Sequence, residues 1–156
     1  ILHELLTFRH LVPDLFRATA IVKQAEKDKE RIFMTLPPTQ AQSRLESEAN
    51  IWLATVRPDG RPHLTPVWFA WHDGKVYACI EAGSVKAGNI GQNPRVSLAL
   101  ENGSQPVIAE GTAVLLSPPW PEAVTAIFKA KYDWDITADG QYDTLVEVTP
   151  VKWLSW

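Results

Sequence analysis

The residues best suited to chemistry in this sequence lie in a short segment, residues 83–89. Ser84 and Lys86 stand between the end of an apolar strand and the start of a short helix. A helix N-terminus offers unpaired backbone N–H groups and a partial positive charge, to which these residues add a hydroxyl and an ammonium group. The segment fits a phosphate monoester. The alternative is that Ser84 is an ordinary N-cap and Lys86 an ordinary exposed lysine.

A strand predicted from Pro62 to Trp71 is the second candidate feature. Pro62 and Pro66 cannot donate backbone hydrogen bonds, so one side of this strand is not expected to be fully paired. Its free groups would then be available to a ligand, and Trp68 or Trp71 could form a wall against a planar ring. The alternative is that both tryptophans only fill the core.

Other reactive chemistries have little support in the sequence. The four histidines (His3, His10, His63 and His72) have no metal-ligand spacing with one another or with Cys79. The sequence contains no Gly-x-Ser-x-Gly nucleophile motif, and no dinucleotide or phosphate-loop glycine pattern follows a strand. Cys79 lies in an apolar strand, which predicts a buried and unreactive thiol.

Composition limits the function classes. The chain has 156 residues and a formal charge of −3, which predicts one main domain and argues against a nucleic-acid partner. A single cysteine excludes an intramolecular disulfide and indicates a reducing compartment. No apolar stretch approaches the ~20 residues of a membrane span. We therefore expect a cytoplasmic globular protein without a membrane partner.

Hydrophobic periodicity changes along the chain from a helical to a strand pattern. Helices are predicted at 1–12, 15–33 and from about Thr39 to Ala49. Strands are then predicted at 51–56, 62–71, 75–80, 95–100, 107–116, 144–149 and 151–156, with a short helix between 84 and 93 and another from 119 to 131. Closely spaced hairpins favour an antiparallel sheet closed into a small barrel over a parallel sheet.

Four sequence blocks lie in the order and spacing of one known family. They are residues 53–69, 83–89, 93–100 with 110–112, and 146–153. In these blocks the chain resembles the pyridoxamine 5′-phosphate oxidase-like, flavin-binding split-barrel family. The resemblance implies a mainly β split barrel with flanking helices, over residues 36–156. It also implies a homodimer with a flavin in each cleft between subunits. Residues 1–35 would be an N-terminal helical extension.

The resemblance also implies particular cofactor contacts. The matching positions are Thr65, Pro66, Val67, Trp68, Ile80, Ser84, Lys86 and Asn89. Ser84 and Lys86 would hold the cofactor phosphate, with Asn89 supporting their loop. Residues 65–68 would flank the flavin ring, and Ile80 would lie beside the ring or the ribityl chain.

The chain departs from the family pattern at three positions. True pyridoxamine phosphate oxidases carry arginine, lysine and arginine where this chain has Thr65, Ala70 and Val85. Because three cationic contacts are absent, oxidation of pyridoxamine phosphate itself is not expected. Residues 65–69 are more similar to the branch that includes reductases using the deazaflavin coenzyme F-420, a branch that also contains FMN binders.

The resemblance therefore leads to a specific expectation. The chain would be an FMN-binding oxidoreductase in which the flavin transfers hydride to a small organic substrate, with no protein nucleophile required. One alternative is a reductase of the same fold that depends on coenzyme F-420. Another is a non-catalytic module that binds a flavin or a haem-like ligand, and a third is a barrel that serves only as a scaffold.

Overall fold

The computed structural model describes residues 19–26 and 37–154. The chain divides into two units, residues 1–34 and 35–156. In the first unit, residues 19–26 are helical, which agrees with the second predicted helix. The remainder of the predicted N-terminal extension, including the helix at 1–12, lies outside the described residues.

Residues 37–154 of the second unit form three helices and seven strands. The helices are α1 (Thr39–Ser47), α2 (Val85–Gln92) and α3 (Glu122–Tyr132). The strands are β1 (Asn50–Val56), β2 (Pro62–Trp68), β3 (Ala70–His72), β4 (Lys75–Ile80), β5 (Arg95–Leu100), β6 (Ile108–Leu116) and β7 (Thr144–Leu154).

All seven strands belong to one antiparallel sheet with the order β2-β1-β5-β6-β7-β4-β3. β2 and β3 lie at opposite edges of this sheet, yet only Phe69 separates them in the chain. The two edges must therefore meet at Phe69, which curls the sheet into a half-barrel. The predicted mainly β split barrel with flanking helices is confirmed.

The prediction of one continuous strand from Pro62 to Trp71 is wrong, because the segment forms two strands, β2 and β3. β2 pairs with β1, whereas β3 pairs with β4, and the break falls at Phe69. The backbone N–H of Phe69 donates to the phenol oxygen of Tyr132 at 3.0 Å instead of to a neighbouring strand. The expectation that β2 is unpaired on one side is confirmed, because β2 is an edge strand.

The two strands predicted at the end of the chain form a single strand, so this prediction is also wrong. β7 continues through Pro150 because a bulge places Val151 between the residues that pair with β6. Pro150 lies opposite Gly111, where an added Cβ would stand 2.6 Å from the carbonyl oxygen of Thr149. Glycine at this position lets the two backbones approach closely, and the bulge tolerates proline.

The helices cover two separate hydrophobic cores. α1 and α2 pack Leu45 and Ile90 into the main core of the half-barrel, among inward-facing strand residues. α3 packs Val124 and Phe128 into a second core, here called the outer core, which includes Cys79. α2 and α3 therefore belong to different cores, although residues of both line the cleft described next.

Candidate functional site

The N-terminus of α2 forms at the predicted anion-binding segment. Ser84 is the N-cap, and its hydroxyl oxygen accepts a hydrogen bond from the backbone N–H of Ala87 at 3.4 Å. The preceding turn is held by Asp143, whose carboxylate accepts from the N–H of Ala82 at 2.7 Å. Ala87 is buried in the main core, which anchors the helix start to the sheet.

Beside this helix lies a cleft of about 650 Å³, which is within the usual size range of small-molecule sites. Five of the eight predicted cofactor-contacting residues line it: Pro66, Val67, Trp68, Ile80 and Lys86. The structure thus brings the end of β2, the end of β4 and the first turn of α2 together around one space.

The other three predicted residues do not line this cleft. The hydroxyl of Ser84 is engaged in capping its own helix. Asn89 is buried and its side-chain amide donates to the hydroxyl oxygen of Thr55 on β1 at 2.9 Å, which ties α2 to the sheet. The hydroxyl oxygen of Thr65 is buried and has no hydrogen-bond partner among the described residues.

An aromatic wall completes the cleft, and Trp68 is the one of its four rings that the sequence predicted as a wall. The wall consists of Trp68 together with Tyr132, Trp134 and Tyr142. The rings of Trp68 and Tyr132 stack with centroids 4.6 Å apart and planes 4° apart. Trp134 packs edge-on against both Trp68 and Tyr142. The high tryptophan content was the one sequence signal that pointed to such a cluster.

The cleft has a cationic part and an acidic part. Lys86 supplies an ammonium group on the α2 side. On the other side, Asp139 accepts hydrogen bonds from the backbone N–H groups of Gln141 and Tyr142 and from the indole N–H of Trp134. These donors lower the pKa of Asp139, so its carboxylate is charged near neutral pH.

The positive charge of Lys86 also acts on His63 in the β1–β2 hairpin. Burial lowers the pKa of His63, and the positive charges of Arg57 and Lys86 lower it further. His63 is therefore mainly neutral near pH 7, and the two nearby positive charges would favour an anion there. This electrostatic setting suits an anionic group bound at the start of α2.

The residues around the cleft are suited to binding more than to nucleophilic or metal chemistry. Burial raises the pKa of the Cys79 thiol to about 12, so the thiol is protonated and a poor nucleophile. Within residues 19–26 and 37–154 no group of acidic, histidine or cysteine side chains could hold a metal ion. The aromatic walls and the single ammonium group fit a planar cofactor that carries a phosphate.

The comparisons with known proteins agree with this geometry. The family model described as pyridoxamine 5′-phosphate oxidase matches residues 37–156. The chain belongs to this family. No curated protein gives a significant match to the sequence.

Several solved structures have the same fold as this chain. The conserved hypothetical protein Rv2991 from Mycobacterium tuberculosis is 28% identical, with a TM-score of 0.65 over 79% of this chain and 86% of that chain. A protein described as an F420 reductase is 25% identical, with a TM-score of 0.63 over 75% of this chain and 98% of that chain.

A third similar structure is HutZ, the haem storage protein from Vibrio cholerae. It is 18% identical, with a TM-score of 0.63 over 77% of this chain and 94% of that chain, and it shows likeness of fold alone. In the part of the present chain that the structure describes, no helix is both long enough and apolar enough to cross a membrane.

Proposed function

We propose that this protein binds FMN in the cleft between α2 and the aromatic wall and acts as an oxidoreductase. The observation that carries the proposal is the position of Lys86. It places an ammonium group and a helix N-terminus at one side of a cleft whose other walls are mainly apolar and aromatic, with the carboxylate of Asp139 on the opposite side. A phosphorylated planar cofactor needs both features.

The residues have distinct roles in this proposal. Lys86 and the first turn of α2, which Ser84 caps, bind the phosphate, and Asn89 holds the helix against β1. The β2 segment 65–68 flanks the ring, and Ile80 contacts the ring or the ribityl chain. Bound flavin supplies hydride transfer to a small organic substrate, while the protein orients the reactants and excludes water. No protein nucleophile is required.

We also propose that the protein is a homodimer with the cofactor at the subunit interface. Trp68 lines the cleft and is 47% exposed in the single chain, so the wall it forms is open on one side. A second subunit would cover it. Sedimentation analysis should give twice the chain mass of 17.4 kDa. A monomer that binds FMN with full affinity would contradict this part of the proposal.

A reductase that uses coenzyme F-420 is the second candidate. The solved F420 reductase is 25% identical to this chain, and the chain covers 98% of it. Oxidation of pyridoxamine phosphate itself is not proposed, because Thr65, Ala70 and Val85 replace cationic residues of the true oxidases.

A non-catalytic module that binds flavin or haem is the remaining alternative. Among the described residues, no histidine lines the cleft, and the Cys79 thiol is protonated. The cleft therefore lacks the usual nitrogen or thiolate ligands of haem iron. This donor set favours a flavin over haem. The cytoplasmic location expected from the single cysteine stays a prediction.

Titration with FMN and with coenzyme F-420, each followed by absorbance and fluorescence, tests the proposal. Saturable binding of one FMN per chain, and reoxidation of reduced bound FMN by an organic acceptor, would support it. Selective binding of coenzyme F-420 would favour the second candidate. Binding of FMN without electron transfer to any acceptor would leave the non-catalytic module, and binding of neither cofactor would contradict the proposal.

A further inference from the structure

The β1–β2 ladder ends beside the cleft. The hydroxyl of Tyr132 occupies the place where the next pair of residues would be hydrogen-bonded. Asn50 and Trp68, which both line the cleft, are the last residues paired in this ladder. The next pair in the same register would be Ala49 opposite Phe69. Instead, the phenol oxygen of Tyr132 lies within hydrogen-bond distance of the backbone of both residues.

The hydrogen bonds at this point can be assigned completely. The phenol oxygen of Tyr132 accepts from the N–H of Phe69 at 3.0 Å, and it lies 2.8 Å from the carbonyl oxygen of Ala49 and 2.9 Å from that of Phe69. Because a phenol has one hydrogen, it can donate fully to one carbonyl only. The ammonium group of Lys131 already donates to the carbonyl of Phe69 at 3.1 Å. Donation by Tyr132 to Ala49 therefore satisfies all of these groups.

The ring of Tyr132 makes a second contact with the end of β2. It stacks on Trp68 with nearly parallel planes, and Trp68 precedes the bonded Phe69 in the chain. The ring also contacts Phe128, which is fully buried in the outer core. One side chain thus connects the packed face of α3 to both the backbone and the aromatic side chain at the end of β2.

We propose that Tyr132 is a positioning residue for the cofactor-binding strand. Its hydroxyl joins β1 to β2 where their ladder ends, and its ring fixes the plane of Trp68. The aromatic side of the cleft is thereby assembled before any ligand binds, and binding need not order it. This inference rests on the proposed function, since it assigns Tyr132 to the same cleft.

The substitution Tyr132→Phe tests the inference because it keeps the stacked ring and removes only the hydroxyl. We expect amide exchange at Phe69 to accelerate at least tenfold, since its N–H loses its acceptor. We expect FMN affinity to fall roughly two- to tenfold, because binding must then order the strand end that one neutral hydrogen bond had held in place. The absorbance spectrum of bound FMN should also shift, because the surroundings of the flavin ring change.

Tyr77→Phe is the matched control. Tyr77 is another phenol of the outer core, and it donates to the carboxylate of Glu147 at 3.0 Å, but it does not line the cleft. Its loss should lower stability and leave the FMN affinity and spectrum unchanged. A merely structural role for Tyr132 would give the same result as this control.

The outcomes separate this inference from the proposed function. Faster exchange at Phe69 with weaker FMN binding in Tyr132→Phe supports the inference, whereas unchanged exchange or unchanged FMN affinity overturns it. If the wild-type protein binds no FMN, the proposed function fails. Exchange at Phe69 then decides the inference: faster exchange in Tyr132→Phe supports it, and unchanged exchange overturns it.

Discussion

The two helices beside the cleft are fixed in different ways. α2 begins at a side-chain cap, since Ser84 accepts from an N–H only three residues further along the chain. At the N-terminus of α3, Pro121 makes no side-chain cap, and the end of the helix is held by the bond between Tyr132 and Phe69, 63 residues apart. The anion-binding end of the cleft therefore has a cap made within its own segment, although Asn89 also ties α2 to β1. The aromatic end depends on contacts between residues far apart in the chain.

Removing the anchor of α3 should give the largest effect. Phe128 is fully buried, and its ring contacts Tyr132 and Trp134. Phe128→Ala should lower the free energy of unfolding by about 3–5 kcal/mol, because a large cavity forms in the outer core. Denaturant unfolding followed by circular dichroism measures this loss.

Ile90→Ala is the corresponding change in α2, and it removes a buried side chain from the main core. It should lower the free energy of unfolding by about 2–5 kcal/mol. The near-ultraviolet signal of the aromatic wall should change in Phe128→Ala and not in Ile90→Ala. Equal aromatic changes in both variants would show that the two helices are not held separately.

Loss of the cleft's ammonium group should have the next largest effect. Lys86→Ala should weaken FMN binding by roughly 10- to 150-fold, because a charge-assisted hydrogen bond contributes about 1.5–3 kcal/mol. Lys152→Ala removes an equal charge from an exposed position on β7 and should leave the affinity unchanged. Titration calorimetry measures both. Similar affinities for the two variants would refute the role of Lys86.

The cap of α2 can be separated from its anion binding by two substitutions of Ser84. Ser84→Ala should lower the free energy of unfolding by about 1 kcal/mol, the usual effect of losing an N-cap. Ser84→Asp keeps an effective cap, so stability should be retained, but its charge should weaken FMN binding by roughly tenfold through repulsion of the phosphate. Wild-type affinity in Ser84→Asp would place the phosphate away from this helix.

A further prediction concerns a lysine at the end of α3. Burial lowers the pKa of Lys131 to about 8, from 10.5. Between these pH values the unfolded chain holds more protons than the folded one, so this group makes stability rise with pH. Below pH 8 both states are protonated and the contribution is constant. In urea unfolding at pH 7.5, 8.5 and 9.5, Lys131→Met should therefore gain less stability with rising pH than wild type.

Lys129→Met is the control for this measurement. Lys129 lies on the exposed side of the same helix, and its ion pair with Asp133 raises its pKa instead of lowering it. Its loss should not reduce the rise of stability between pH 7.5 and 9.5. In the unfolded chain the thiol of Cys79, with an ordinary pKa of 9.0, also titrates in this range. It is present in all three proteins, so differences between them report the lysines.

The sequence predicted the parts of the molecule that depend on neighbouring residues. Most of the β strands and the start of α2 follow from alternation and a cap. The break at Phe69 could not be predicted, because alternation continues on both sides of it. It depends on a hydrogen bond from a residue far along the chain.

The same limit applies to the site. Lys86 and the residues of β2 were found because their segments carry recognisable residue patterns. Tyr132, Trp134 and Tyr142 belong to a segment without such a pattern. Tyr132 and Trp134 reach the cleft through packing against the outer core, and Tyr142 packs against Trp134. The continuity of β7 through Pro150 was missed for a related reason, since it depends on a glycine in the opposite strand.

A crystal structure of the protein grown with FMN is the most direct test of the central claim. The account predicts one FMN per chain in the cleft beside α2. A phosphate oxygen should lie about 2.7–2.9 Å from the ammonium nitrogen of Lys86, and the ring should lie along residues 65–68 of β2. FMN bound at another surface, or with its phosphate remote from both Lys86 and the start of α2, would contradict the account.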